Sequence, residues 1–135
     1  MKTDLSGVNA PWMESPLVAD GLFIRQDEYY KKYFYADIVW IEASANYCDF
    51  YFKDKSRITV ACRLGVVERQ LPDAYFARVH RGFILNLRYV DTWAGNSLRS
   101  HGKWFPIGDH YRKNVLACFN ILDTSREYPK TGREE

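Results

Sequence analysis

The chain has 135 residues, of which 47% are hydrophobic and 16% aromatic, so it can form one domain with a sizeable core but not two of ordinary size. Its net charge is only +2, and no apolar run approaches the roughly 18 residues that a membrane helix requires. A disordered tail and a membrane-spanning protein are thereby excluded, and we expect a cytoplasmic protein with no membrane contact.

The chain is predicted to begin with an irregular leader or linker remnant over residues 1–21, where glycines and prolines break every periodicity. Short β-type segments separated by polar turns follow, and the predicted strands cover residues 22–25, 29–35, 38–42, 47–53 and 57–62. The run Ile38–Glu42 is apolar on both faces, which is typical of a buried central strand.

A short helix is predicted in the middle of the chain, because Leu64, Val67 and Leu71 recur at helical spacing before Pro72 ends the pattern. We then expect a single strand over 83–90, a turn at 94–97, and short strands at 98–100 and 103–107.

A last helix should begin near Asp109, a plausible N-cap, and run to about Leu122. Its predicted inward face consists of Val115, Phe119 and Leu122. Residues 123–135 are predicted to form a polar tail, so the domain spans 22–122. These elements together indicate a mainly β, antiparallel fold with one short central helix and one C-terminal helix.

Positive charge is concentrated in one part of the sequence. Residues 78–113 contain seven Lys/Arg and two Asp/Glu, a balance of +5, whereas 1–77 carry nine against eleven and 114–135 carry three against four. Such localisation is typical of a phosphate-binding face, although a solvated face of a β-domain would produce the same pattern. Because an unpaired buried charge is very costly, we expect Arg78 and Arg81 to lie largely on the surface.

Three motifs follow one another along the sequence. They are the run IVWIEA at 38–43 with Asn46 and Tyr47, the run YFARVHRGFILN at 75–86 after Leu71-Pro72, and the closing segments GNS at 95–97, FPIG at 105–108 and YRK at 111–113. In this order they resemble the LytTR-type DNA-binding domains of bacterial transcription regulators. The resemblance implies about ten short strands in small, elongated antiparallel sheets with little helix. It also implies that loops between strands, and no recognition helix, enter successive major grooves.

The chemistry of the matched residues suits DNA. Arg81 can donate two parallel hydrogen bonds to guanine, the commonest specific contact in the major groove. His80 and the backbone N–H of Gly82 are expected to reach phosphate oxygens. By the resemblance, Asn46 and Tyr47 form a first DNA-facing loop, and His110, Arg112 and Lys113 lie at a third, with Arg112 and Lys113 assigned mainly to phosphate.

The sequence departs from the family pattern at Gly108-Asp109-His110, where a Ser-Arg-Arg run is common. This change lowers the expected phosphate affinity and makes binding pH-sensitive through His110. It also keeps open an alternative, a LytTR-like protein-interaction module that has lost DNA binding and modulates another regulator. Two other residues have structural alternatives to a DNA contact: Arg78 pairing with Glu42 or Asp73, and Asn86 capping a turn or a strand end.

An enzyme is not expected. The three cysteines are far apart and form no CxxC pair, so they are interpreted as free thiols, and no metal site, phosphate loop or cofactor is predicted. The expected partner is duplex DNA with repeated half-sites, bound by a homodimer. If a receiver domain precedes this chain in a longer protein, a histidine-kinase pathway is the expected input, and otherwise the chain is a stand-alone regulator.

Overall fold

The computed structural model describes residues 19–123, so the predicted leader up to residue 18 and the tail beyond residue 123 lie outside the described residues. Within that range the fold is mainly β, as expected, with ten strands and two α-helices. The strands are β1 (Gly21–Arg25), β2 (Tyr30–Phe34), β3 (Ile38–Ser44), β4 (Tyr47–Phe52), β5 (Arg57–Val60), β6 (Phe76–His80), β7 (Phe83–Asn86), β8 (Val90–Ala94), β9 (Ser97–Ser100) and β10 (Lys103–Pro106). The helices are α1 (Leu64–Gln70) and α2 (Asp109–Leu116).

All strand pairs are antiparallel. The largest sheet has the order β5-β4-β3-β7-β6, the second has the order β10-β9-β8, and β1 and β2 form a separate hairpin. The prediction of a buried central strand is confirmed, because β3 has neighbours on both sides and Ile38, Val39 and Ile41 are almost inaccessible to solvent.

The five-stranded sheet separates two hydrophobic cores. One core places Ile41, Phe50 and Ile84 against α1 and the β1–β2 hairpin. The other contains Val79 and Leu85 with residues of the three-stranded sheet and of α2. Adjacent residues such as Ile84 and Leu85 serve opposite cores because side chains alternate across a strand. The sheet is therefore held from both faces, which fixes the positions of the turns at its ends.

The single strand predicted over 83–90 is wrong. β7 ends at Asn86, a 3-10 helix covers Leu87–Tyr89, and β8 then joins the other sheet. The cause is the fully buried Asn86 side chain, which accepts a hydrogen bond from the Arg88 N–H (3.1 Å) and donates to the carbonyls of Tyr35 (3.2 Å) and Ile38 (2.9 Å). The alternative that Asn86 caps a turn is confirmed.

The predicted C-terminal helix is present but shorter than expected. α2 ends at Leu116, its N-cap is Gly108 and not Asp109, and Leu122 is 91% exposed and not inward. After Leu116 the backbone tightens into turns, since the N–H of Cys118 bonds the carbonyl of Val115. None of the helices between residues 19 and 123 is long and apolar enough to span a bilayer.

Candidate nucleic-acid interface

Three segments meet at one end of the five-stranded sheet. The β3–β4 turn is Ala45-Asn46 and the β6–β7 turn is Arg81-Gly82, and the Ala43 N–H donates to the Gly82 carbonyl at 2.9 Å, which sets these turns side by side. The Gly108 N–H donates to the Val79 carbonyl at 2.8 Å, which brings the start of α2 to the same place. We call this end of the sheet, with its two turns and the start of α2, the loop edge.

The first turn exposes the two residues that the sequence predicted there. Asn46 is exposed, and half of the Tyr47 side chain is accessible (50%). Ala45 has a φ of 56°, a left-handed conformation that costs an L-residue about 1–2 kcal/mol. The two-residue turn requires this conformation; it places Asn46 at the end of the sheet, and Tyr47 follows as the first residue of β4, paired with Ser44.

The second turn carries Arg81, which is exposed as expected. Arg78, on the preceding strand β6, was expected at the surface as well, but the structure contradicts that expectation. The Arg78 side chain is only 15% exposed. Its guanidinium donates to the carbonyls of His80 (3.0 Å) and Arg81 (2.6 Å) and forms an ion pair with Glu68 (2.9 Å). The cost of burial applies to an unpaired charge, and this one has three acceptors. The structural interpretation of Arg78 is thus confirmed, but the partner is Glu68 in place of Glu42 or Asp73.

His80 and Gly82 interact with each other within the turn. The Gly82 N–H donates to Nδ1 of His80 at 3.0 Å, so that N–H is not available to a phosphate in this conformation. Because Nδ1 accepts a hydrogen bond, the ring proton of the neutral imidazole lies on Nε2. The ring packs against Phe83 with 5.6 Å between the centroids. His80 therefore presents Nε2 as a potential donor, and the predicted donor role of Gly82 would require this bond to break.

The three predicted residues of α2 differ in their surroundings. His110 and Lys113 are exposed, and within residues 19–123 the Lys113 side chain forms no hydrogen bond or ion pair. Arg112 instead donates from Nη1 to the carbonyl of Gly95 (3.1 Å) and to Oδ1 of Asn96. These contacts connect α2 to the β8–β9 turn. No local pattern in the sequence indicates them, because sixteen or more residues separate the partners.

The cysteines are free thiols, as expected, with Cys48 buried and Cys118 exposed. Burial, with smaller contributions from the neighbouring Cys62 and Asp49, raises the pKa of the Cys48 thiol to about 11. The Cys48 thiol donates to the carbonyl of Cys62 at 3.0 Å. A thiol held protonated in this way is a poor nucleophile. In the described range, 19–123, no cluster of three His, Cys, Asp or Glu side chains is arranged to bind a metal ion.

Comparison with known proteins agrees with this architecture. The model of the LytTr DNA-binding domain family matches residues 30–119, which is most of the chain and contains all three segments of the loop edge. The chain belongs to the LytTR family of DNA-binding domains.

Two individual proteins illustrate the relationship. The LytTR chain is 33% identical over 69 residues to the sensory transduction protein LytT of Bacillus subtilis (strain 168); the match covers 47% of this chain and 29% of LytT. Its fold matches the LytTr DNA-binding domain of a Bacillus cereus protein described as a methyl-accepting/DNA response regulator, with a TM-score of 0.61 at 17% identity. That match covers 73% of this chain and 95% of the other. The chain thus spans under a third of the length of LytT and nearly all of the isolated domain.

Proposed function

We propose that this LytTR domain binds duplex DNA sequence-specifically through the loop edge and thereby regulates transcription. The proposal rests on the observation that two strand-connecting turns and the start of α2 meet at one end of the five-stranded sheet. Arg81 is exposed in the β6–β7 turn, which lies between the β3–β4 turn and the start of α2. Projecting turns of this kind can enter a major groove, where base edges are read.

The proposed roles follow from exposure and bonding. Arg81 reads bases, because its side chain is exposed and donates no hydrogen bond to any described residue. Its backbone carbonyl accepts a hydrogen bond from Arg78. His80 donates from Nε2 to a phosphate oxygen, and Lys113 supplies a phosphate contact from the last turn of α2. Asn46 and Tyr47 contact the neighbouring stretch of DNA, and the exposed His110 contacts it from the first turn of α2.

The assembly and cellular context are part of the proposal. Two copies bind repeated half-sites about one helical turn apart, which places both loop edges on the same face of the duplex. DNA binding places the protein in the cytoplasm, and we propose no catalytic step or cofactor. The relative's designation as a sensory transduction protein supports an upstream signal, which is a histidine-kinase pathway if a receiver domain precedes the chain.

A protein-interaction module is the second candidate, and Asp109 favours it. This acidic residue is exposed in the first turn of α2, at the loop edge, where it repels phosphate. A surface that carries both Asp109 and Arg81 suits a partner protein of mixed charge better than a polyanion.

Selection of bound duplexes from a random DNA pool tests the proposal. We expect a repeated motif, and an affinity that falls steeply with salt because counterions are released. Arg81→Ala should cost about 1–3 kcal/mol on the selected site and relax specificity at one position. Lys55→Ala is the matched control, because Lys55 is exposed in the β4–β5 turn at the opposite end of the sheet. No enrichment, with weak binding that vanishes at modest salt, would refute the proposal and favour the interaction module.

A further inference from the structure

Arg78 contacts three different elements around the β6–β7 turn. It lies on β6, three residues before Arg81, and its nearly buried guanidinium bonds the carbonyls of both His80 and Arg81. The third acceptor, Glu68, belongs to α1, and the guanidinium carbon lies 5.8 Å from the centre of the Tyr111 ring on α2. One side chain therefore connects the turn to both helices.

The strand pairing explains why these two carbonyls need a partner. The register between β6 and β7 shifts between Arg78 and His80, which is the irregularity of a β-bulge. A bulge leaves backbone groups without their ladder partners and changes the direction of the following side chain. Arginine offers donors in a rigid planar fork, so it can bond two carbonyls of fixed separation, and a lysine ammonium cannot reproduce that geometry.

We propose that Arg78 is a positioning residue for DNA recognition: it fixes the backbone of the Arg81-Gly82 turn, and so the direction in which Arg81 points, without touching DNA. Glu68 in turn holds Arg78 in place from α1. The predicted effect of Arg78 on DNA binding rests on the proposed function. Its effect on the backbone of the Arg81-Gly82 turn, in contrast, is present in the free protein. The loss of Arg78 should therefore act on sequence reading and leave the number of phosphate contacts unchanged.

The test uses Arg78→Lys, which keeps the positive charge and removes the fork. On the selected site we expect affinity to fall by about tenfold or more, a loss typical of a misplaced specific contact. Non-specific affinity and the salt slope should remain unchanged. In the Arg81→Ala background the same substitution should have little further effect, because residues that act as one unit are non-additive. Lys55→Ala again serves as the control for a charge outside the loop edge.

Amide hydrogen exchange separates this inference from the proposed function. In the free protein, Arg78→Lys should accelerate exchange at the Gly82 N–H on the order of tenfold, because opening of the turn becomes easier. Amides of β3 and β4 should not change, which excludes global destabilisation. If Arg78→Lys accelerates exchange at the Gly82 N–H but the unsubstituted chain does not bind DNA, the role of Arg78 in the turn is supported. That result would refute only the proposed DNA-binding function. Unchanged exchange, or additive effects of Arg78→Lys and Arg81→Ala on DNA affinity, would overturn the inference.

Discussion

Arg112 and Lys113 are neighbours on α2 with the same charge, yet the structure gives them different expected effects. Arg112 bonds the carbonyl of Gly95 and the side chain of Asn96, whereas Lys113 extends into solvent. Arg112→Ala removes two solvent-exposed hydrogen bonds to a charged donor. Exposure reduces their net contribution to roughly 1 kcal/mol in total. For a domain of this size that loss lowers the melting temperature by about 4–8 °C.

The assay pairs thermal unfolding with the salt dependence of DNA affinity for both alanine variants. Lys113→Ala should leave the melting temperature unchanged, weaken binding to all sequences alike, and reduce the salt slope by about 0.9, the value for one lost phosphate contact. Arg112→Ala should lower the melting temperature and leave the slope unchanged. If Arg112→Ala instead reduced the slope as Lys113→Ala does, with no loss of stability, Arg112 would be a phosphate contact and our interpretation of its bonds would be refuted.

Three further predictions concern stability, thiol chemistry and pH dependence. Asn86→Ala leaves two carbonyls and one N–H without their hydrogen bonds in a fully buried site. Urea unfolding should therefore show that the free energy of unfolding falls by about 3–5 kcal/mol. A decrease below about 1 kcal/mol would contradict the role given to this side chain. At pH 8, an alkylating reagent followed by peptide mass spectrometry should modify Cys118 rapidly and Cys48 only after unfolding, and equal rates would disprove the burial argument. Because the folded pKa of Cys48, about 11, lies above its ordinary value of 9.0, its contribution to stability is complete below pH 9 and is lost as the pH rises towards 11.

The sequence determined the fold class and most of the short strands and turns, but not the break at Leu87–Tyr89 between β7 and β8. These are local properties: strand alternation, helical spacing before Pro72, and short polar turns such as Ala45-Asn46 are written in neighbouring residues. The exposure of Arg81 and Asn46 also followed, because charged and polar residues in turns remain in water.

The tertiary structure alone decided how the cationic residues are used. Arg78 and Arg81 stand in the same short motif, but one is nearly buried among carbonyls and Glu68 while the other is exposed. Likewise Arg112 and Lys113 are adjacent in sequence and differ in their partners. The acceptors come from α1, from a bulged strand and from a distant hairpin turn. A hydrogen bond depends on distances of a few tenths of an ångström between such elements, and only packing of both faces of the central sheet fixes them.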